Sequence, residues 1–442
     1  MNIPFAVPFI GREEEEAVLH VLRSGWITTA NEALSFEKEF SAFLCEYQNQ
    51  IRAGGSGKDA ASSASLQRGG LPPHNDSPGN LSALAVNSAT SGLHLALEAC
   101  GVKKGDVVLV PTCTFASDAE VVHYLGAETA FVDSARGAFN MCPAGLESTL
   151  KRLNDGKSAY ENGGPKGRAA AIIAVHFGGM VCDMAAIMKI ARHYNVAVIE
   201  DCAHSFPAFS HDKMTAGTIG DVGVFSFYAT KTITTGEGGM VVTRNLARSS
   251  RMQTMRLHGI DRPIWNRYNA NASNDDSGTK TPSWYYQVAA PGYKYNLCDI
   301  LAAIGRVQLK RAEFLLKERQ HIASIYNEHF AGDDNFILPP SNSGNAWHLY
   351  PLRVSCKNKN TRDDLFQKLK ENGIGASVHF IPLHTMPYYK KLYDLHENDF
   401  PNAYENFRTE ISLPIFPGMS DEQVKFVIDA ARGGKGMGTN RL

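Results

Sequence analysis

The stretch GDVGVFSFYATKTITTGEGGMVVT, residues 220–243, is the part of the sequence that decides the fold. It contains two short apolar runs, residues 222–227 and 240–243, whose valine and phenylalanine side chains favour strands. Lys231 and a glycine-rich turn lie between the two runs. The stretch therefore predicts two strands joined by a segment that contains a lysine.

Similar apolar runs recur on the N-terminal side of this stretch. The further strand candidates are residues 106–111, 129–132, 170–175 and 196–199. Helical segments such as residues 184–193 separate several of them. Alternating strands and helices predict an α/β fold, with a mostly parallel sheet that helices cover on both faces. Such sheets bind ligands beyond the carboxyl ends of their strands.

The N-terminal residues 12–47 are predicted to be helical, with an interruption at Ser24 and Gly25. After this region the composition changes. Residues 48–80 and, later, residues 266–281 are rich in small and polar residues and hold few large apolar side chains. Segments of this composition cannot bury enough apolar surface to order themselves, so we predict two mobile insertions.

The C-terminal third of the chain has its own pattern. A long helix is predicted over residues 299–329. After it the pattern is strand, helix, strand, at residues 348–354, 363–373 and 374–380. We therefore predict a large α/β domain over residues 1–298, and a bridging helix with a smaller C-terminal α+β domain over residues 299–442.

Composition and charge exclude several classes of protein. A formal net charge of -1 gives no basic field to attract nucleic acid or an anionic membrane surface. No apolar stretch approaches the roughly 18 residues of a membrane span. The eight cysteines are scattered, without a CxxC pair or a histidine at metal-ligand spacing, so no metal site is predicted. The N-terminal residues lack a signal-peptide pattern, and we expect a cytoplasmic protein.

Two strand candidates end at residues with useful chemistry, Asp201 after VAVIE and Lys231 after VGVFSFYAT. Such ends meet at one edge of a parallel sheet, so the two side chains are expected to converge on one ligand. Pyridoxal 5′-phosphate (PLP) needs this pair, because an amine condenses with its aldehyde and an acid keeps its pyridine nitrogen protonated. Taken alone, such an aspartate is more often a cap or an ion-pair partner, and such a lysine is more often only solvated.

Other motifs agree with a PLP site. Residues 87–92, NSATSG, open a helical run, and small residues there leave backbone N–H groups and a positive dipole end for a phosphate. Ser226, five residues before Lys231, adds a hydroxyl, and Phe115 follows another strand candidate, where it can stack on a flat ring. An ordinary helix cap and core packing are the commoner roles of such residues.

In combination these motifs resemble the fold-type-I nucleotide-sugar aminotransferases of the DegT family. The matching stretches keep the family's order from about residue 8 to about residue 425, apart from the two polar segments. They include NSATSGLHLAL (87–97), PTCTFAS (111–117), IEDCAHSFPA (199–208), the stretch 220–243, GYKYNLCDILAAIGRVQL (292–309) and SVHFIPLHTMPYY (377–389). The resemblance implies an aspartate-aminotransferase-like fold (PLP fold type I) with PLP as the cofactor.

The resemblance also implies roles for individual residues. Lys231 matches the lysine that holds PLP as a Schiff base, and Asp201 matches the acid that pairs with the pyridine nitrogen. His204 and Phe115 match residues packed against the cofactor ring. Asn296 matches an asparagine that reaches the phosphate from the neighbouring subunit, which implies a homodimer with shared active sites. The phosphate cradle is matched by Ala89, Thr90, Ser91 and Ser226.

For the reaction, the resemblance implies transfer of an amino group from glutamate to a 4-keto-6-deoxy sugar linked to a nucleotide diphosphate. A UDP-linked N-acetylated sugar is favoured, for surface-polysaccharide or glycan synthesis. Candidate substrate contacts are Thr29, His348 and His379. The chain has Ala30 where the family usually has glycine after two threonines, so the loop that borders the sugar differs here.

Single features of the sequence distinguish this function from four alternatives. A C3 aminotransferase acting on a 3-keto sugar is the nearest, although GYKYNLCDI is more similar to members that aminate C4. A regulatory protein of this fold would bind without turnover and would have no use for the Lys231 amine. Relatives with histidine in place of the lysine are dehydratases, which Lys231 argues against. A NAD-dependent enzyme needs a GxGxxG loop after an early strand, and the sequence has none there.

Overall fold

The computed structural model of the protein describes residues 1–53, 81–261, 284–358 and 360–433. Seven strands form one sheet: β1 (Ser82–Val86), β2 (Asp106–Pro111), β3 (Glu128–Val132), β4 (Arg168–Val175), β5 (Ala197–Asp201), β6 (Val222–Ser226) and β7 (Gly239–Thr243). Their order is β1-β7-β6-β5-β4-β2-β3. β7 pairs antiparallel with β1 and β6, and the other pairs are parallel. The predicted α/β class with a mostly parallel sheet is confirmed.

The six strands predicted for this sheet are present, with ends that differ by a few residues at most. The seventh, β1, was not predicted. Its five residues, SALAV, directly follow a polar stretch, and two of them are alanine, which is depleted in strands, so the local pattern does not indicate one. In the sheet, β1 lies beside β7 and completes the edge next to the helix that opens at residue 89.

Helices cover both faces of the sheet. They are α1 (Arg12–Ser24), α2 (Asn31–Ala53), α3 (Ala89–Ala99), α4 (Ser117–Tyr124), α5 (Pro143–Asn154), α6 (Met184–Tyr194) and α7 (Leu246–Met255). Alternate strand residues point to opposite faces, so Leu109 packs in the core with α2, α5 and α6, whereas Val108 packs in the core with α3, α4 and α7. Burial of one such side chain contributes about 1.5–3 kcal/mol.

The predicted helical region 12–47 is two helices, and its interruption is confirmed at Gly25, which has a left-handed φ of 74° after α1. The predicted start of the first mobile insertion, at residue 48, is wrong because α2 continues to Ala53. Gln48 is buried there, and its amide oxygen accepts a hydrogen bond from the Thr215 N–H at 2.7 Å. The remainder of that insertion, and the second one at residues 266–281, lie outside the described residues.

The predicted single helix over residues 299–329 is two helices, α8 (Asp299–Lys310) and α9 (Ala312–Phe330). The break is at Arg311, whose backbone leaves the helical region and whose guanidinium binds the buried Glu14 at 2.8 Å. Within the described residues no helix is long and apolar enough to cross a bilayer.

A second, three-stranded antiparallel sheet follows: β8 (Phe336–Ile337), β9 (Tyr350–Val354) and β10 (Glu410–Leu413), in the order β10-β9-β8. The helices α10 (Arg362–Glu371), α12 (Pro401–Thr409) and α13 (Asp421–Arg432) pack around it, whereas α11 (Pro387–Tyr393) packs against β3 of the large sheet. This sheet has its own apolar core. The predicted boundary between residues 298 and 299 stays a prediction.

The predicted strand over residues 374–380 is wrong. The segment makes only isolated bridges, from Ile374 to Ile3 and from Ser377 to Ser412. Gly375 lies against the backbone of Phe5, and its N–H donates to the Ile3 carbonyl at 2.7 Å. The Ser377 bridge and the hydrogen bonds from His379 to Ser412 and Glu410 hold the later residues beside β10, so the segment is divided between two partners and does not pair along one strand.

Candidate active site

The site lies at the edge of the large sheet where its parallel strands end. Asp201 is the last residue of β5, and Ser226 is the last residue of its neighbour β6. Lys231 follows in a turn, with its N–H donating to the Tyr228 carbonyl at 2.9 Å. The predicted convergence of Asp201 and Lys231 is present in the structure, since each charge acts on the pKa of the other.

Lys231 has the properties of a reactive amine. Its side chain is half-buried, and desolvation lowers the pKa of the ammonium to about 8. The Asp201 and Asp118 carboxylates oppose this shift, and the Arg319 guanidinium adds to it. At neutral pH a much larger fraction of Lys231 is therefore the free amine than of an ordinary lysine.

Asp201 is buried and is paired with a carboxyl group that the sequence did not reveal. Asp201 Oδ1 accepts a hydrogen bond from the Ala203 N–H at 2.8 Å. Asp118, on α4, is completely buried, and its Oδ2 accepts from the Thr114 hydroxyl. Burial raises the pKa of both carboxyl groups, and the nearby Asp201 raises that of Asp118 further. Asp201 has the N–H donor and lies near the Lys231 ammonium, so Asp118 holds the proton and Asp201 stays ionised.

The residues predicted to form the phosphate cradle include the first turn of α3. Ser88 caps the helix by accepting from the Ser91 N–H at 3.1 Å, and the buried Ser91 hydroxyl donates back to the Ser88 carbonyl at 2.7 Å. The backbone N–H groups of Ala89 and Thr90 are at the open end, where a helix dipole favours an anion. Ser91 is thus committed to the cap, and its predicted role as a direct phosphate contact stays a prediction.

The cradle depends on the absence of a side chain at Gly239. This residue pairs with Ser226 on one side and with Val86 on the other. A β-carbon at Gly239 would lie 2.9 Å from the Ala89 nitrogen and 2.7 Å from the Phe225 carbonyl oxygen. The glycine lets the helix end approach the sheet and brings Ser226 near the same space.

Two residues predicted to contact the cofactor ring, Phe115 and His204, both pack against Phe380. Phe115 is 63% exposed, and its ring centroid is 6.1 Å from that of Phe380. His204 is buried and stacks on Phe380 at 5.9 Å, with its Nδ1 accepting from the Gly178 N–H at 3.3 Å. Burial, with the Lys231 charge, keeps the pKa of His204 well below its ordinary value, so the ring is neutral. His348 packs behind His204, with a ring-centroid distance of 4.4 Å.

Thr29 and Asn296 contact each other beside the end of β1. The Asn296 amide donates to the Thr29 hydroxyl at 2.5 Å, and that hydroxyl donates to the Leu297 carbonyl. The backbone of Asn296 forms a bridge with Val86. Thr29 is buried by these contacts. Its hydroxyl is therefore committed within the chain, and its predicted contact with the sugar stays a prediction.

His379 is the third predicted substrate contact, and it lies close enough to Lys231 for the ammonium to act on it. Burial and the Lys231 charge lower the pKa of this imidazole to about 4. The ring Nδ1 of His379 bonds to the Ser412 hydroxyl at 2.8 Å. The backbone N–H of His379 donates to the carboxylate of the buried Glu410 at 2.8 Å. Neither Ser412 nor Glu410 was identified from the sequence.

A second group of buried ligand-type residues is structural. His176, Glu200 and Cys202 lie close enough together to hold an ion. The two ring nitrogens of His176 are both engaged, one with Glu200 at 3.0 Å and one with the Cys182 N–H at 3.2 Å. The Glu200 carboxylate also accepts from the backbone N–H groups of residues 217, 219 and 220. These hydrogen bonds use the atoms that would coordinate a metal.

Comparisons with known proteins agree with this geometry. Residues 76–432 match the model of the DegT/DnrJ/EryC1/StrS aminotransferase family. The chain is 39% identical over 428 residues to the uncharacterized protein MJ1066 of Methanocaldococcus jannaschii, covering 96% of this chain and 95% of that one. It is 37% identical over 434 residues to the spore coat polysaccharide biosynthesis protein SpsC of Bacillus subtilis, covering 97% and 96%.

Among solved structures, the fold is similar to that of the putative sugar aminotransferase Spr1654 from Streptococcus pneumoniae in its PMP form. The TM-score is 0.76 at 27% identity, and the match covers 97% of this chain and 98% of that one. The predicted aspartate-aminotransferase-like fold is therefore confirmed. The family model covers residues 76–432 and the two relatives cover nearly the whole chain, so the chain belongs to the DegT/DnrJ/EryC1/StrS aminotransferase family.

Proposed function

We propose that this aminotransferase uses PLP bound at Lys231 to transfer an amino group from glutamate to a 4-keto-6-deoxy sugar linked to a nucleotide diphosphate. A UDP-linked N-acetylated sugar is the favoured acceptor, in the synthesis of a surface polysaccharide or glycan. The observation that carries the proposal is the pairing of an amine of lowered pKa, Lys231, with a buried carboxylate, Asp201, at one sheet edge. The similarity to the polysaccharide biosynthesis protein SpsC and to the putative sugar aminotransferase Spr1654 supports the polysaccharide and sugar parts of the proposal.

The residues fit PLP in chemistry. The close approach of α3 to Gly239 places the N–H groups of Ala89 and Thr90, at the positive end of the helix dipole, where a phosphate is favoured. Asp201 is buried, as an acid paired with a pyridine nitrogen must be. Phe115 offers an exposed aromatic ring, and both Phe115 and the neutral His204 contact Phe380. When bound, PLP supplies an electron sink for the substrate carbon.

The chain's own residues then have separate tasks. Lys231 takes up and returns a proton, for which a pKa of about 8 is suited because both forms are populated near neutral pH. Asp201 holds a proton on the pyridine nitrogen by its negative charge, and the protonated Asp118 keeps that charge on Asp201. Ala89, Thr90 and Ser226 bind the phosphate, and Ser91 holds the helix cap.

We also propose a homodimer with shared active sites, in which Asn296 reaches the phosphate of the partner subunit. Exposed aromatic side chains at Trp284, Tyr286 and Tyr124 support burial against a second copy. The Lys294 ammonium and Thr29 bond to Asn296, so its side chain is held in place near the end of β1. Sedimentation of the purified protein tests whether the dimer forms, and a PLP titration of the wild type and of Asn296→Ala tests whether PLP affinity depends on this residue.

The decisive experiment uses borohydride. The purified protein is expected to have a visible absorption band, and reduction followed by peptide mapping is expected to place the cofactor on Lys231. Lys231→Ala is expected to lose transamination, whereas Lys189→Ala, on the exposed face of α6, keeps it. Full activity in Lys231→Ala would refute the proposal.

The acceptor is tested with a panel of UDP-, dTDP- and GDP-linked 4-keto and 3-keto sugars, with glutamate as donor. Amination at C4 supports the proposed regiochemistry. Amination at C3 would assign the chain to the nearest alternative, and PLP binding without turnover on any sugar would assign it to a regulatory role.

A further inference from the structure

A chain of hydrogen bonds links a buried carboxyl group to the histidine beside Lys231. Glu410 and Ser412 are alternate residues of β10, so their side chains point to the same face, and both are completely buried. The Ser412 hydroxyl bonds to Glu410 Oε1 at 2.5 Å and to His379 Nδ1 at 2.8 Å. The backbone pairing of Ser377 with Ser412 fixes the distance between the two segments.

We call this chain of hydrogen bonds, from Glu410 through Ser412 to His379, the relay. Its other end is the second ring nitrogen of His379, Nε2. Within the described part of the chain, Nε2 of His379 has no hydrogen-bond partner, and the imidazole is half-buried. One ring face stacks on Phe5 at 5.6 Å, which fixes the plane of the imidazole. Because burial and Lys231 lower the pKa of His379 to about 4, the ring is neutral near pH 7 and carries a single N–H.

The position of that single proton follows from counting protons along the relay. A serine hydroxyl has one proton to donate. If Glu410 is ionised, Ser412 donates to the carboxylate and must accept from Nδ1–H, which leaves Nε2 of His379 as an acceptor. If Glu410 is protonated, it donates to Ser412, and Ser412 donates to Nδ1, so that Nε2 carries the N–H. The backbone N–H of His379 donates to Glu410 Oε2 in both cases.

We propose that Glu410, acting through Ser412, sets the tautomer of His379, so that the site presents an N–H donor while Glu410 is protonated and an acceptor after it ionises. Glu410 and Ser412 are positioning residues, and His379 is the group that meets the ligand. The donor form is suited to a ligand oxygen, such as a keto or phosphate oxygen of the sugar nucleotide. This identity of the ligand rests on the proposed function, whereas the tautomer itself does not.

The groups around Glu410 favour the donor form near pH 7. Burial raises the pKa of Glu410 to about 8, against the opposing hydrogen bonds from Ser412 and the His379 N–H and the charge of Arg362. Arg362, on α10, donates to the Glu410 carbonyl at 3.2 Å. The thiol of Cys113, on the large-sheet side, also faces this carboxyl group and stays protonated, because burial raises its pKa to about 12.

The groups around His379 do not compete for its proton. Lys231 is the charged group that acts on it, and His204 and His348 are neutral because burial keeps the pKa of each well below its ordinary value. Titration of Lys231 near the same pH changes the charge beside His379 but offers no hydrogen bond to Nδ1. The two titrations are therefore separable by variants of Glu410.

The test is nitrogen-15 NMR of histidine-labelled, cofactor-loaded full-length protein, with His379→Gln used to assign the signal. Nitrogen chemical shifts distinguish the two tautomers of a neutral imidazole. We expect the wild type to pass from Nε2–H to Nδ1–H as the pH rises through about 8. Glu410→Gln cannot ionise and is expected to keep Nε2–H throughout. Ser412→Ala cuts the relay and removes the pH-linked change, and Ser377→Ala, whose side chain is outside the relay, retains it.

A kinetic readout connects the tautomer to the substrate. In the wild type, KM for the accepted sugar nucleotide is expected to rise about tenfold above pH 8, the effect of losing one hydrogen bond, while kcat follows the Lys231 titration. In Glu410→Gln, KM is expected to stay low. A wild-type tautomer that does not change with pH, or that changes equally in Glu410→Gln, would overturn the relay. Failure of every sugar to react would instead overturn the proposed function and leave the NMR result standing.

Discussion

Substitution of Gly239 by alanine tests whether the proposed phosphate site depends on the close approach of α3 to the large sheet. Gly239 opens β7 and lies between Ser226 and Val86, beside the first turn of α3. The added methyl group would lie 2.7 Å from the Phe225 carbonyl oxygen and 2.9 Å from the Ala89 nitrogen. Both neighbours are backbone atoms of central elements, so the contact cannot be relieved by turning a side chain.

The expected magnitude follows from these distances. Overpacking a well-filled interior costs about 1–3 kcal/mol, and two backbone contacts closer than 3 Å place Gly239→Ala near the upper end. Relief by moving α3 away from the sheet also moves the Ala89 N–H, which is proposed to bind phosphate. Loss of one hydrogen bond to a charged group is about 1.5–3 kcal/mol, or roughly 10- to 150-fold in affinity.

Urea unfolding and a PLP titration followed by absorbance measure the two effects separately. Gly145→Ala is the matched control, because a β-carbon there meets Val132 at 3.5 Å in ordinary contact, within α5, where alanine is the better helix former. The control is expected to be neutral or slightly stabilising, with unchanged PLP affinity. If Gly239→Ala matched the wild type in both measurements, the cradle would not depend on the close approach of α3 to β7.

Three further predictions follow from the charges of the site and the core. The rate of PLP loading should rise with pH and level off above about 8, because the free amine of Lys231 reacts; a stopped-flow pH profile with no rise in that range would contradict this. Asp118 keeps a proton in the fold that it loses when unfolded, so between its unfolded and folded pKa values it lowers stability by about 1.4 kcal/mol per pH unit as the pH rises. Asp118→Asn should remove this contribution from the pH dependence of urea unfolding, and an unchanged dependence would contradict it. Arg256→Leu should lower the free energy of unfolding by about 3–5 kcal/mol, because it leaves the charge of the buried Glu37 without its partner. The double variant with Glu37→Leu should lose less stability, and equal losses in thermal unfolding would argue against the ion pair.

The sequence was sufficient for the features that depend on strand ends. Asp201 and Lys231 were predicted to converge because the carboxyl ends of parallel strands share one edge, and that rule needs no knowledge of side-chain contacts. The same rule does not extend to Asp118, which is on a helix. Its spacing from Thr114 indicates a hydrogen bond within one turn but not which strand end the carboxyl group faces.

Features that depend on packing between distant segments were not predictable. The relay from Glu410 to His379 joins residues 31 positions apart, through a segment that was predicted as a strand and instead makes isolated bridges. The helix α2 runs past its predicted end because Gln48 finds backbone partners near Thr215, far along the chain. In both cases a tertiary contact overrides the local pattern.

The reversed direction of β7 has a consequence for how such an enzyme adapts to new substrates. The segment with Lys231 leaves the sheet from β6 and re-enters it at the adjacent β7, and hydrogen bonds from Phe227 to Gly238 and from Thr235 to Phe227 clamp its base. The segment that carries Lys231, the proposed reactive amine, is thus held at both ends by the large sheet. The His379 segment is anchored instead in the smaller sheet, so changes there that alter the substrate contacts need not displace the Lys231 segment.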